Sequence, residues 1–335
     1  MANIFQDKSI LVTGGTGSIG REIVRRLLPL KPKVVRVLSN DENSLFALQQ
    51  ELNNRPDVRF LVGDIRDKER VRKAVEGIDF VFHAAALKHV PLCEYNPFEA
   101  VKTNALGTQN LIEVALEEEV SKFITVSTDK AVNPVNVMGA TKLLAERLTI
   151  SANYYKGARA TVLACVRFGN VLESRGSVVS VFQEQIKKGG PVTVTDPDMT
   201  RFVMTLPGAT ALVLKAAEMA KGGEIFIFKM SALRIGDLAE AMVAQLAPQY
   251  GHDPKKIKIE ITGKRAGERP REELITEEEA ENAYEVEDML VVMPATTTGA
   301  KTGKTPAGSL LSDNAGLLTK AQIKAMLSGS LDLTL

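Results

Sequence analysis

The chain has 335 residues, of which 44% are apolar and 25% charged, and its 42 basic and 41 acidic residues leave a net charge of +1. That composition excludes disorder of the whole chain, and the charge balance offers no extended footprint for nucleic acid or an anionic membrane. Cys93 and Cys165 lie far apart without metal-ligand spacing, which excludes a disulfide framework or a structural zinc site and points to a reducing compartment.

Short β-branched runs at 9–12, 34–38, 59–62, 80–83, 122–126 and 161–167 alternate with amphipathic stretches at 20–28, 45–52, 69–75, 103–118 and 141–155. This alternation predicts an α/β fold, a Rossmann-type doubly wound parallel sheet with helices on both faces. Beyond residue 170 the pattern loosens. Helices are expected at 177–187, 207–219, 235–246 and 320–327, and a strand at 224–228. A charged stretch at 264–279 precedes an apolar run at 289–293. Residues 295–308, rich in Thr, Gly, Lys and Pro, are expected to form a mobile surface loop. Within it GAKTGKT (299–305) has three residues between its glycines where a P-loop needs four, so nucleotide hydrolysis is not supported. The start of the chain shows no signal-peptide pattern, and no apolar run approaches the ~20 residues that span a bilayer. A cytoplasmic protein without membrane insertion is expected.

The run ILVTGGTGSIG (10–20) sets Gly14, Gly17 and Gly20 at G-x-x-G-x-x-G spacing between a strand and a helix. Such a turn lets the backbone approach a diphosphate, which sits on the helix N-terminus where free N–H groups favour anions. Thr16, Ser18 and Ile19 complete this cradle, and the spacing resembles that of short-chain dehydrogenase/reductases. At the tip of the second strand stand Ser39, Asn40 and Asp41. A small residue at Ser39 leaves room for a 2′-phosphate, whereas an acidic tip would favour NAD, so the reading leans to NADP with NAD open. Asp64 and Ile65 would meet the adenine, and Ala84, Ala85 and Ala86 would form a small-residue floor beneath the dinucleotide. Lys88 and Asn104 are further cofactor candidates, while His83 reads as a satisfied strand-end histidine. The expected division is an NAD(P)-binding domain over 1–172, to which the chain returns around 203–230, and a smaller α/β substrate-binding region over 173–335.

The segment ITVSTDKAVNPVNVMGATK (124–142) ends a strand in Ser127, Thr128, Asp129 and Lys130, at the sheet edge where ligands of open α/β sheets bind. A helix carrying Met138 and Lys142 at i and i+4 follows, so both should face one site. Short-chain reductases have Tyr-x-x-x-Lys at this point, and Met138 in the tyrosine position carries no proton.

With TGGTGSIG, SNDEN, HAAALKHVPLCEYNP, TNALGTQN, STDKAVNPVNVMGATK, RFGNVLESRGSVV, TRFVMT and AGERPREEL, the sequence resembles the inverting UDP-N-acetylglucosamine 4,6-dehydratases, the CapD-like branch of the extended short-chain dehydrogenase/reductases. The resemblance covers nearly the whole chain, and some members of the branch similarly have methionine where Met138 stands. It implies oxidation at C4 by a tightly bound, recycled cofactor, loss of water across C5–C6, and return of hydride to C6. Asp129 would protonate the departing hydroxyl and Lys130 would remove the C5 proton, with Thr-Asp-Lys marking C5 inversion where retaining enzymes have Thr-Asp-Glu. A neutral Lys130 is expected to need burial or the charge of Lys142 and the nicotinium to lower its pKa. The acceptor of the C4 hydroxyl proton stays open among Thr128 through water, ionised Asp129, and Lys142.

Substrate contacts implied by the resemblance are Lys88, Arg167, Asn170, Arg201, Arg265 and Glu268. Arg167 and Asn170 would bridge cofactor and sugar, and Arg201 and Arg265 suit a diphosphate clamp, although surface ion pairs are equally compatible with the arginines. Uridine and guanosine sugars both remain open. No metal site is expected, and family habit suggests a homo-oligomer, dimer or hexamer. A UDP-sugar 4-epimerase would share the C4 ketone but need no acid–base pair for elimination. A non-catalytic cofactor-binding regulator would need neither. The joint presence of Asp129, Lys130 and Lys142 argues against both.

Overall fold

The computed structural model describes residues 3–172, 174–265, 267–294, 306 and 308–328. The expected loop at 295–308 therefore lies outside the described residues except for Pro306 and Gly308, and GAKTGKT lies wholly outside them.

The first half alternates strand and helix. Strands β1 (Ser9–Thr13), β2 (Val34–Ser39), β3 (Val58–Val62), β4 (Phe80–His83), β5 (Lys122–Val126) and β6 (Val162–Arg167) are all parallel. Between them run α1 (Ser18–Leu27), α2 (Glu42–Glu51), α3 (Lys68–Val75), α4 (Val90–Tyr95), α5 (Pro97–Ala100), a π-helical turn Val101–Leu106, α6 (Gly107–Glu117) and α7 (Val137–Tyr155). Strands β1 and β4 are buried at every position, because helices cover both sheet faces and a continuous apolar run suits that environment. Alternation divides β1 between two cores. Ile10 and Val12 join α1, α2 and the later helix Leu206–Met219, and Leu11 joins α3 and α6.

The remaining strands are β7 (Asn170–Val171), β8 (Val192–Val194), β9 (Thr200–Met204), β10 (Ile225–Phe228), β11 (Ser231–Arg234), β12 (Ile259–Ile261), β13 (Glu273–Ile275), β14 (Ala283–Val286), β15 (Met289–Val292) and β16 (Leu310–Leu311). The main sheet runs β3-β2-β1-β4-β5-β6-β10-β15-β14, with only β15 and β14 antiparallel to their neighbours. The last two strands come from residues that the sequence places in the substrate-binding region. The hairpin they form carries the fully buried run Met289–Val292, which completes the sheet beside β10. A second core gathers α8 (Val178–Lys187), α9 being excluded from it, α10 (Ile235–Leu246) and α12 (Lys320–Leu327) around Phe182, Leu238 and Ile323; α9 is the helix Leu206–Met219 already placed on the main sheet. The charged stretch before residue 279 resolves into β13 and the short helix α11 (Glu277–Glu281).

Two helices start earlier than their apolar periodicity indicates, because polar caps extend them. Asp41 accepts from Ser44 N at the head of α2, and Asn136 accepts from Gly139 N at 2.8 Å at the head of α7. Among the described residues no helix is long and apolar enough to cross a membrane. In this sheet β1 pairs with β2 on one side and β4 on the other, so connections leave in opposite directions and open a crevice at the carboxyl edge.

Candidate active site

The glycine turn lies at that crevice. Gly14 has φ +63°, and a Cβ there would stand 2.7 Å from Ala85 Cα, so the turn rests directly on the Ala84–Ala86 floor. At Gly20 a Cβ would come within 2.3 Å of Gly14 O. At Gly17 it would meet only Gly14 O, at 3.1 Å, which leaves that side of the turn open. Gly17 is also the N-cap of α1 and provides no side-chain acceptor, so the first N–H groups of the helix await an anion. These features fit a dinucleotide diphosphate. Gly20→Ala is expected to strain the turn by about 1–3 kcal/mol and to weaken dinucleotide binding by roughly 5- to 150-fold, read by titrating the variant with a reduced nicotinamide dinucleotide and following its fluorescence.

Around the turn the sequence candidates divide. Thr16 Oγ1 and Ser39 Oγ lie 2.9 Å apart, and Asp41 N donates to Ser39 Oγ at 3.2 Å. The Asp41 carboxylate is committed to capping α2, and its bonds from Ser44 hold it below the usual carboxylate range. Asn40 Nδ2 donates to Asp64, which pairs with Arg66 at 2.7 Å. Three candidates are corrected. Ile65 is buried against Gly107, and Ile19 packs on the main core, so only their backbones remain for a ligand. Asn104 spends its amide inside the protein: Oδ1 accepts from Leu87 N at 2.8 Å, and Nδ2 donates to Leu87 O and Thr141 Oγ1. It holds the loop after β4 to α7. Lys88 is exposed and donates to Arg175 O at 2.6 Å; Arg175 in turn reaches Thr16 O with its guanidinium and Ser18 Oγ with its backbone N–H. Arg175 was not singled out by the sequence, although it lies in the RFGNVLESRGSVV run. His83 is buried, bonded to Thr13 and Thr108, and pushed down to about 3 by burial, the neutral strand-end histidine expected.

The chemical centre forms where β5 ends. Thr128 caps a 3₁₀ turn, Asp129–Ala131, that presents an acid and a lysine side by side. Asp129 is fully buried. Its Oδ1 accepts from Thr128 Oγ1 at 2.9 Å and from Lys130 Nζ at 3.0 Å, while Oδ2 is buried without a partner among the described residues. Burial raises the Asp129 carboxyl above its ordinary value, with Lys130 opposing the rise. Lys130 Nζ also lies 3.2 Å from Glu272 Oε1 and 3.4 Å from Asn170 Oδ1. This corrects an expectation. Burial does work against the ammonium, but Asp129 and Glu272 outweigh it and hold Lys130 above the ordinary lysine value.

Lys142, buried one helical turn after Met138, donates to Val126 O at 2.7 Å, and burial lowers it despite Glu146 nearby. Met138 does not share that polar setting. It is buried with Cys93 and Ala100 in a small apolar cluster, so it forms wall.

Arg167 is also corrected. Its guanidinium is 1% exposed and pairs with Glu146 at 2.7 Å and Glu279 at 2.8 Å, with a further bond to Leu274 O. Every direction it can donate in is taken up by protein, so it does not grip a sugar. Arg201 sits near Glu272 at 3.5 Å and donates to Thr200 O. Arg265 is exposed, and its backbone N–H donates to Glu268 Oε2 at 3.2 Å. The segment that carries Arg265 and Glu268 is stitched to the turn after Lys130: Asn136 Nδ2 donates to Gly267 O, Arg269 to Val132 O, and Asn133 Nδ2 to Glu273 Oε2. Glu272, like Arg175, was missed by sequence reasoning. It stands in AGERPREEL among so many charges that nothing in one sequence sets it apart.

Residues 10–294 match the protein family described as polysaccharide biosynthesis protein. The chain belongs to that family. A Methanocaldococcus jannaschii member described as an uncharacterized membrane protein is 62% identical over 327 residues, 98% of this chain and 97% of its own. The inverting UDP-N-acetylglucosamine 4,6-dehydratase of Campylobacter jejuni is 43% identical over 294 residues, 87% of this chain and 84% of the dehydratase. Relatives of similar identity also include UDP-glucose 4-epimerases from Rickettsia. Among solved structures, Pen from Bacillus thuringiensis matches with a TM-score of 0.92 at 46% identity, covering 98% of this chain and 99% of Pen. This member of the polysaccharide biosynthesis family is an enzyme of the nucleotide-sugar dehydratase and epimerase kind.

Proposed function

We propose that the chain is a UDP-N-acetylglucosamine 4,6-dehydratase that inverts C5, working with recycled NADP. The observation that carries this reading is the Asp129–Lys130 pair with Asp129 Oδ2 left unpartnered. An epimerase has no use for a buried acid beside a lysine at this edge. The nicotinamide, when bound, accepts hydride from the sugar and later returns it.

The chain supplies the protons. Asp129 and Lys130 can exist as an ion pair or, after one proton moves across 3.0 Å, as a carboxylic acid and a neutral amine of the same net charge. Elimination requires the second form; burial of both groups pulls toward it, while the charge of Glu272 holds the resting lysine in the first. Neutral Lys130 takes the C5 proton, and the acid at Asp129 delivers its proton to the departing C6 hydroxyl, which leaves as water. The pair is then ionic; as hydride returns to C6, Lys130 gives a solvent-exchanged proton to C5, and Asp129 is reprotonated by the equivalent released at the C4 hydroxyl. For the C4 hydroxyl proton, the Thr128 Oγ1 bond to Asp129 Oδ1 favours relay through Thr128 over Lys142, whose ammonium is turned to Val126 O. The preference for NADP rests on the small Ser39 at the strand tip and on Asp41 being occupied as a helix cap.

The test is incubation with UDP-N-acetylglucosamine in D₂O, followed by proton NMR. The expected result is a new C6 methyl signal without C5 coupling, with deuterium at C5. The epimerase reading, which the Rickettsia relatives favour, predicts the galacto isomer and no methyl signal.

A further inference from the structure

Glu272 is 4% exposed and lies within reach of Lys130, yet it comes from a segment more than a hundred residues away in the chain. Its position is fixed through the backbone. Glu272 N donates to Ser312 Oγ at 2.9 Å, Ser312 N donates to Glu272 O at 2.9 Å, and Ser312 Oγ lies 2.7 Å from Thr200 Oγ1. The carboxylate is thus held against Lys130 by three separate parts of the fold.

We propose that Glu272 is a positioning residue of the acid–base cluster, holding the proton of Lys130 and so setting when that lysine can act as a base. The role rests on the dehydratase reading above.

Among the described residues, the groups facing Lys130 come from several elements. Asp129 comes from its own turn, Glu272 from the segment before β13, Arg201 from β9, and the neutral amide of Asn170 from β7. With Asp129 alone, the lysine and one carboxylate would balance. Glu272 adds a second negative group at hydrogen-bond distance, and Arg201 at 3.5 Å from Glu272 offsets it only in part. Loss of the Lys130 proton is therefore tied to Asp129 taking it up, since Glu272 keeps the ammonium favoured for as long as both carboxylates are ionised. The segment that carries Glu272 also carries Arg265 and Glu268 and is bonded to the loop at 132–136. Movement of that segment would be felt at Lys130 as a change of charge.

Glu272→Gln removes the charge and keeps the shape. In the substrate-free enzyme, trace acetic anhydride labelling of Lys130 at fixed neutral pH, read by mass spectrometry, is expected to speed up about tenfold because more of the amine is neutral. In substrate, the pH at which C5 deuterium exchange begins to rise is expected to fall in step. Glu272→Asp, which keeps the charge one methylene further back, is expected to give a smaller acceleration of labelling and carries the test if the glutamine variant does not fold. A labelling rate equal to the parent's in the variants that fold overturns the proposal. Faster labelling in the variants, with a parent that itself yields no 4-keto-6-deoxy sugar, upholds the Glu272–Lys130 coupling and retires the dehydratase reading instead.

Discussion

Asp129→Asn is expected to lower formation of the 4-keto-6-deoxy sugar by about 100- to 10,000-fold and to move exchange of the C5 proton with solvent to higher pH, because Lys130 can no longer pass its own proton to Asp129 and must lose it to solvent. Asparagine reproduces the shape of the acid, and Lys130 keeps Glu272 at 3.2 Å, so the base stays in place. What disappears is the proton that Oδ2 delivers to the departing hydroxyl. Lys130→Met is expected to stop both exchange and product, because no other amine of the cluster faces that edge: Lys142 is turned to Val126 O. Proton NMR in D₂O separates the two outcomes, with deuterium entering C5 in the asparagine variant only at raised pH, at no pH in the methionine variant, and no C6 methyl signal in either. Parent-like dehydration by the asparagine variant would place the acid elsewhere. Since burial raises Asp129, the limb of the rate profile that depends on its proton is expected to fall only above the ordinary carboxylate range.

How much of this was legible beforehand follows from the range of the interactions involved. Strands β1 to β6 read within one residue of their observed bounds at nearly every end, because a sheet covered on both faces needs continuous β-branched runs. The glycine turn was legible because its requirement is local: φ at Gly14, and the close approach of Gly20 to Gly14 O. That Asp129 and Lys130 stand together at a strand end was legible for the same reason, while the roles expected of them came from the resemblance. Partners brought in from afar were not legible. Nothing in the local run around Arg167 distinguishes a sugar-gripping arginine from one enclosed by Glu146 and Glu279, and Asn104 gives no sign that Leu87 will consume its amide. The hairpin β14–β15 looked like part of a separate region because only the paired sheet shows which edge it completes.

Arg167→Leu is expected to destabilise the fold by about 3–5 kcal/mol, the cost of leaving buried carboxylates without their cation. Glu146 lies one turn beyond Lys142 on α7, and Glu279 lies on α11, so the guanidinium joins the helix carrying the site lysine to the C-terminal part of the chain. Glu146 is 1% exposed, and water offers it no replacement. Glu279 shows the sign of the pH dependence. Burial works against its charge, but Arg167 overcomes this and holds the carboxyl below the ordinary glutamate value. In the parent, that contribution is present above the unfolded glutamate pKa, roughly 4.3, and is lost as pH falls through the lower folded value. In Arg167→Leu the sign reverses for Glu279, whose burial is then no longer overcome by Arg167, so that it takes up a proton on folding. The stability deficit, measured by urea unfolding, is therefore expected to be larger at neutral pH than in mild acid, and adding Glu146→Gln is expected to recover part of it. A deficit that does not change with pH would mean that lost packing around the guanidinium, and not stranded charge, is what the substitution removes.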